Sequence, residues 1–346
     1  MGEGTGEGVE VGASMKPLIK KLVEAYGPSG HENQVRDLVR AEIRNLPDYI
    51  SVDPLGNLIA VFKKNSKTGK KIMLSAHMDE IGVIVSHIDD KGFARFQPLG
   101  GVSPLTCLGG RVRFANGRIG TIGIDAKRDD PSKSPTLAEL FIDVGATSKA
   151  DCPVNLGDPA GFYRPMEEIG DRLVAKSMDD RIGVAILIET LKSLKRTPHE
   201  VAFVFSVQEE VGLRGAGTAA FGLEAEVGIA VDVTRTGDTP NGVKMEVALG
   251  NGPAIKVRDS GMLADPRIKD LLVQRGQEAK IKTQLEILEG GTTDAAAMQI
   301  SRGGMPTGCL SIPTRYLHTP SEMVDFRDVQ ASVQLLVELL QKPIEI

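Results

Sequence analysis

The chain contains no tryptophan, and aromatic residues make up only 4% of its 346 positions, so the flat stacking platforms that sugars require are scarce. Cysteine is nearly absent as well. Cys107, Cys152 and Cys309 are an odd number without Cys-x-x-Cys spacing, which argues against a disulfide framework and against a thiolate zinc site. Any metal must then be held by histidine and carboxylate side chains. A basic excess is also missing: the formal net charge is -5 and Lys and Arg are scattered, which gives no footprint for nucleic acid. No apolar run approaches the roughly 20 residues needed to cross a bilayer, and the N-terminus lacks a basic, then apolar, leader pattern. No membrane partner and a cytoplasmic location are therefore expected.

What is present is ordinary for a globular chain: 41% hydrophobic and 25% charged residues, with enough length for two domains. Residues 1–14, "MGEGTGEGVEVGAS", are rich in Gly and Glu without periodicity and read as a disordered leader. From Met15 two amphipathic helical patterns follow, separated by "GPSG", then a hairpin turning at Asp53 to Asn57 and an apolar strand "KIMLSA". Between about Ile81 and Gly170 the texture becomes strand-like and rich in turns, with Asn116-Gly117 a good hairpin turn. Helices and strands alternate again from "SMDDRIG" to the end. This pattern predicts a doubly wound α/β domain with a mixed sheet, residues 15–80 and 171–346, interrupted by an inserted, barrel-like β domain at 81–170.

In such sheets ligands bind beyond the carboxyl ends of the strands, so each strand end can be inspected for what it presents. "KIMLSA" delivers His77, Asp79 and Glu80; "VAFVFSV" delivers Glu209 and Glu210; "VGIAV" delivers Asp232; "TGCLSIPTRYL" delivers His318. Asp179 and Asp180 begin the helix "RIGVAILI", where one can cap the helix while the other binds a metal. Converging carboxylates without Arg or Lys repel one another unless cations sit among them. Two histidines with at least three acids suit two zinc, cobalt or manganese ions better than calcium. His31, His87 and His199 have no acid partner in view and read as structural. A strand running into "QEE" would send Glu209 and Glu210 to opposite sides, but alternation alone leaves open which is a ligand and which a base.

The motifs "AHMDEIG", "MDDRIG", "QEEVGLRGA", "VDVT", "GGTTDA" and "PTRYLHTPSEM" occur in the order found in the tetrahedral (TET-type) metallo-aminopeptidases, and the chain resembles that family from Met15 onward. The resemblance implies hydrolysis of N-terminal residues from peptides with two divalent metal ions. It implies that His77 and Asp232 hold one ion, Glu210 and His318 the other, and that Asp179 bridges them. Glu209 is then the general base, Asp79 orients His77, and a cis peptide precedes Asp180. Dimerisation through the inserted β domain, and assembly into a hollow homododecamer, are likewise implied. Two readings compete: a glycoside hydrolase of endoglucanase type, disfavoured by the scarce aromatics, and a silent assembly scaffold, disfavoured by the intact set of site residues. Arg315, close to His318 in sequence, is equally compatible with attracting an acidic first residue and with a structural role.

Overall fold

The computed structural model describes residues 15–63, 69–128, 130 and 132–346; the leader read at 1–14 lies outside the described residues. Four parallel strands form the centre of the main sheet, in the spatial order Glu200–Ser206, Lys71–His77, Val227–Thr234 and Thr307–Arg315. They are nearly continuous apolar runs because both faces are covered. One face carries the helices Met15–Glu24, Asn33–Ile43, Met178–Ser193 and Phe326–Gln341, and the other carries Arg214–Leu223 and Asp294–Gln299. Helix Met178–Ser193 is buried from Met178 to Leu191, which is why its apolar residues show no single face.

Antiparallel strands extend both sides of this centre. The hairpin Tyr49–Val52 and Leu58–Phe62 adds to one edge, its turn closed by Asp53, whose Oδ1 accepts the N–H groups of Leu55, Gly56 and Asn57. On the other side Glu322–Asp325, Arg172–Ala175 and Glu167–Ile169 follow in turn. Ala254–Arg258 and Gln284–Ile287 complete an eleven-stranded mixed sheet among the described residues. The doubly wound mixed sheet is thus the architecture observed. No helix among the described residues is long and apolar enough to cross a membrane.

The inserted segment closes into a six-stranded barrel built from Gly82–Ile88, Ala94–Leu99, Arg111–Phe114, Ile119–Ile124, Leu140–Asp143 and Pro159–Phe162. Alternation fills it: Val83, Val85, Phe96, Val112, Phe114, Ile122 and Ile142 point inward, while their strand neighbours face outward. The barrel strands end at Phe162, and Glu167–Ile169 already belongs to the main sheet. A buried ion cluster ties together the points where the chain leaves and returns. Lys176 Nζ lies 2.5 Å from Glu80 Oε2, which also accepts the Ser177 hydroxyl, and Glu80 Oε1 accepts the Gly27 N–H at 3.0 Å. The Arg181 guanidinium lies 3.5 Å from Glu80 and donates to the carbonyls of Met78, Leu22 and Gly27.

Candidate metal centre

The parallel centre puts four strand ends at one rim, and the acids and histidines picked out above converge there. His77 closes Lys71–His77, beside Ser206 in register, and Asp232 is near the end of its strand, opposite Ser311. Glu209 and Glu210 lie past the end of Glu200–Ser206. They diverge because Gln208 turns the chain with a left-handed φ of 55°, not because a strand continues through them. His318 reaches the same place from the loop after Thr307–Arg315. Together with Asp179 these side chains line a cleft of roughly 320 Å³.

Distances show how the donors group. Asp179 meets one histidine with each oxygen: Oδ1 is 3.0 Å from His77 Nε2, and Oδ2 is 3.3 Å from His318 Nε2. Glu209 Oε2 and Asp232 Oδ1 each lie 3.9 Å from His77 Nε2, whereas Glu210 Oε2 lies 3.4 Å from His318 Nε2. Two groups have donor atoms all within 4.8 Å of one another: His77, Asp179 and Glu210, and His77, Glu209 and Asp232. Both imidazoles have their outward nitrogen fixed by a carbonyl, His77 Nδ1 at 3.1 Å from the Asp79 oxygen and His318 Nδ1 at 3.1 Å from the Gly101 oxygen. A carbonyl can only accept, so Nδ1 of each ring carries a proton, and Nε2 is the nitrogen turned to the cleft, where a cation would take the place of its proton.

Asp79 does more than stand beside His77. Its carboxylate lies 3.4 Å from the ring, but it also accepts the backbone N–H groups of Glu209 and Glu210, at 3.0 and 3.2 Å, and the Ser29 hydroxyl at 2.6 Å. One buried acid thereby fixes both the histidine and the turn that carries the two glutamates. The paired aspartates divide as well. Asp180 accepts the N–H groups of His77 and Gly183, a capping role, and leaves Asp179 to face the histidines; the bond between them is cis.

The charges in this cleft do not balance. Burial raises Glu209 and Glu210 well above the ordinary carboxylate range, with Asp232 adding like charge at the first and Asp179 at the second, against the opposing pull of His77. Burial also pushes Asp232 up to about 8, and Asp179 and Asp294 add to it. Asp179 is the exception: burial opposes its charge, but His318 and His77 hold it low. Glu210 Oε1 is buried without a hydrogen-bond partner. Lys256, the one lysine lining the cleft, is committed to Glu286 at 2.6 Å. Arg315 is likewise committed, with a two-pronged contact to Asp238 at 2.9 and 2.7 Å, so its role is structural. Arg235 alone among the lysines and arginines of the cleft wall has no ion-pair partner among the described residues. Imidazole nitrogens turned to the cleft, excess carboxylates and an orphaned carboxylate oxygen are a donor set that fits divalent cations.

Other residues surround the cleft without chemistry visible in the sequence. Asp294, in "GGTTDA", accepts the hydroxyls of Ser75 and Ser206 at 2.6 Å each and so joins the ends of two central strands. Thr293 caps the following helix, its hydroxyl accepting the Ala295 N–H at 3.3 Å. His199 is structural, bridging the Lys70 N–H and the Lys342 carbonyl.

A family model described as M42 glutamyl aminopeptidase matches residues 56–335. The chain belongs to that family. It is accordingly a peptide hydrolase of the aminopeptidase kind. A relative from Acetivibrio thermocellus, named as an aminopeptidase, is 47% identical over 94% of this chain and 98% of its own. Among solved structures, the Pyrococcus horikoshii TET1 peptidase, described as assembling into a tetrahedron or a large octahedral shell, has a TM-score of 0.85 at 30% identity, covering 95% of this chain and 99% of its own. A Thermotoga maritima structure named endoglucanase has a TM-score of 0.79 at 32% identity, covering 93% and 96%.

Proposed function

We propose that the chain is a dinuclear metal-dependent aminopeptidase in which Asp179 would contribute a carboxylate oxygen to each of the two ions. The observation that carries this reading is the placement of Asp179, with one carboxylate oxygen toward each histidine. His77 and Asp232 would hold one ion, and Glu210 and His318 the other. Bound divalent ions supply Lewis acidity, lowering the pKa of a water and polarising the scissile carbonyl. Glu209 takes the water's proton and delivers it to the departing amine, standing close to His77 without being needed as a ligand. Asp79 keeps Glu209 and Glu210 at their posts through their backbone N–H groups. The acid excess of the cleft attracts the substrate's α-ammonium, which accounts for a preference for free N-termini.

The barrel is the element we assign to dimerisation, and the subunits assemble as a homo-oligomer of the closed-shell kind described for the TET1 peptidase. The endoglucanase name borne by one similar structure finds no support in this cleft, where two imidazoles stand among the carboxylates.

The test is a panel of aminoacyl chromogenic substrates, including a glutamyl and glutaminyl pair facing Arg235, assayed after chelation and reloading with zinc, cobalt or manganese. Hydrolysis restored by metal, together with loss of both equivalents in Asp179→Asn, is the expected result. Activity that survives chelation, or loss of one equivalent only, would refute the dinuclear reading.

A further inference from the structure

Two of the candidate ligands sit on stretches of chain that regular structure does not hold. His318 lies in the connection between Thr307–Arg315 and Glu322–Asp325, and both it and Tyr316 are left-handed, with φ of 60° and 61°. Such a backbone costs free energy in a non-glycine residue and persists only where its surroundings impose it. Asp179 stands at the opening of helix Met178–Ser193 with non-helical φ and ψ of -75° and 107°, where the helix's first N–H groups have no carbonyl partner of their own.

One side chain serves both. Glu322, 2% exposed, accepts the Asp179 N–H on Oε2 at 3.0 Å and the His318 N–H on Oε1 at 2.8 Å. The sheet delivers it there: Glu322 pairs with Ala175, at the end of the strand that leads into Asp179, and it follows His318 by only a short loop. No Lys or Arg stands within 4.0 Å of its carboxylate among the described residues. A buried carboxylate without a lysine or arginine is a poor choice for stability alone, since its desolvation is offset by two amides and the nearby His318 ring. What this placement does achieve is a common frame for two side chains from distant parts of the chain, leaving His318 Nε2 3.3 Å from Asp179 Oδ2.

We infer that Glu322 is a positioning residue of the metal centre, clamping the backbones of Asp179 and His318 so that their side chains meet at one ion. The inference rests on the reading of those two side chains as ligands. A carboxylate is required because both of its oxygens accept; an amide offers one acceptor and confronts the second N–H with a donor.

Cobalt serves as the probe, because its visible spectrum reports the geometry of its ligands and its affinity can be measured against a competing chelator. Glu322→Gln, nearly isosteric, is expected to weaken cobalt binding by roughly ten- to a hundredfold, the usual cost of losing an outer partner of a ligand. The cobalt spectrum should shift, and kcat should fall more than KM changes. Glu322→Ala should do the same more severely, and if it fails to fold the glutamine variant still decides. A Glu322→Gln protein that melts lower but binds cobalt with wild-type affinity and spectrum would overturn the inference, leaving a structural residue. Cobalt uptake by the wild type that Asp179→Asn abolishes and Glu322→Gln leaves intact would overturn the clamp alone. Absence of uptake by the wild type would remove the metal reading and the clamp with it.

Discussion

Residues 77–80 and 176–181 contribute to two buried charge clusters a few residues apart, and the two are built on opposite principles. At the root of the barrel, Glu80 faces Lys176 and Arg181, and Ser177 and the Gly27 N–H complete its partners. There the one carboxylate is answered by two cations. In the cleft, Asp179 meets Glu209, Glu210 and Asp232 with no lysine or arginine within 4.0 Å of these carboxylates among the described residues, and Glu210 Oε1 is left unpartnered. Burial acts on both clusters, but the pKa directions separate them: Glu80 is held low by Lys176 and Arg181 despite burial, while burial and like charge raise Glu209, Glu210 and Asp232. The first cluster is a fastening, and the second is a set of carboxylates gathered around two histidines without a paired lysine or arginine among the described residues. Nearness in sequence thus says little about role; the balance of charge around each carboxylate says much more.

That contrast can be broken or sharpened by substitution. The largest effect is expected from Glu209→Gln, which should retain metal while kcat falls by about 10²–10⁴-fold, as measured by steady-state kinetics alongside metal content. An active variant would move Glu209 out of the role of base. Next, Glu80→Gln should destabilise by about 3–5 kcal/mol in urea unfolding, because it strands two buried cations. A change below about 1 kcal/mol would mean that the barrel root is not fastened by charge. The smallest effect has the opposite sign. In chelated protein, Glu210→Gln should raise stability by about 1 kcal/mol by removing a repelled carboxylate, and the gain should reverse once metal is supplied to both proteins. A Glu210→Gln protein less stable than the wild type in both conditions would show that the cleft is no different in kind from the root.

Much of this architecture is legible in the chain itself. Apolar runs ending in acids or histidine mark the central strands, since only the carboxyl ends of a covered sheet need to carry polar groups. The change to alternating, turn-rich segments after Ile81 marks the barrel, because its strands bury one face only. What escapes is whatever depends on pairing between distant segments. Glu322 looks like any loop acid in "TPSEM", and its importance arises only when the sheet sets it beside Ala175. The spread of Glu209 and Glu210 follows from the left-handed Gln208, whereas alternation along a strand gives the same picture for a different reason. Arg315 remains ambiguous in sequence because its partner, Asp238, lies in an irregular segment far up the chain.

The carbonyl of Gly101 belongs to the segment that follows the barrel strand Ala94–Leu99, yet it holds the ring of a cleft histidine. Glycine is needed at this crossing: a Cβ on Gly101 would run into the His318 imidazole, and one on Gly100 would come within 3.1 Å of Glu210. The barrel and the cleft therefore share a hydrogen bond that either one can disturb. The orientation of the His318 ring is thus set from two distant stretches of chain at once, the loop that carries it and the turn that leaves the barrel.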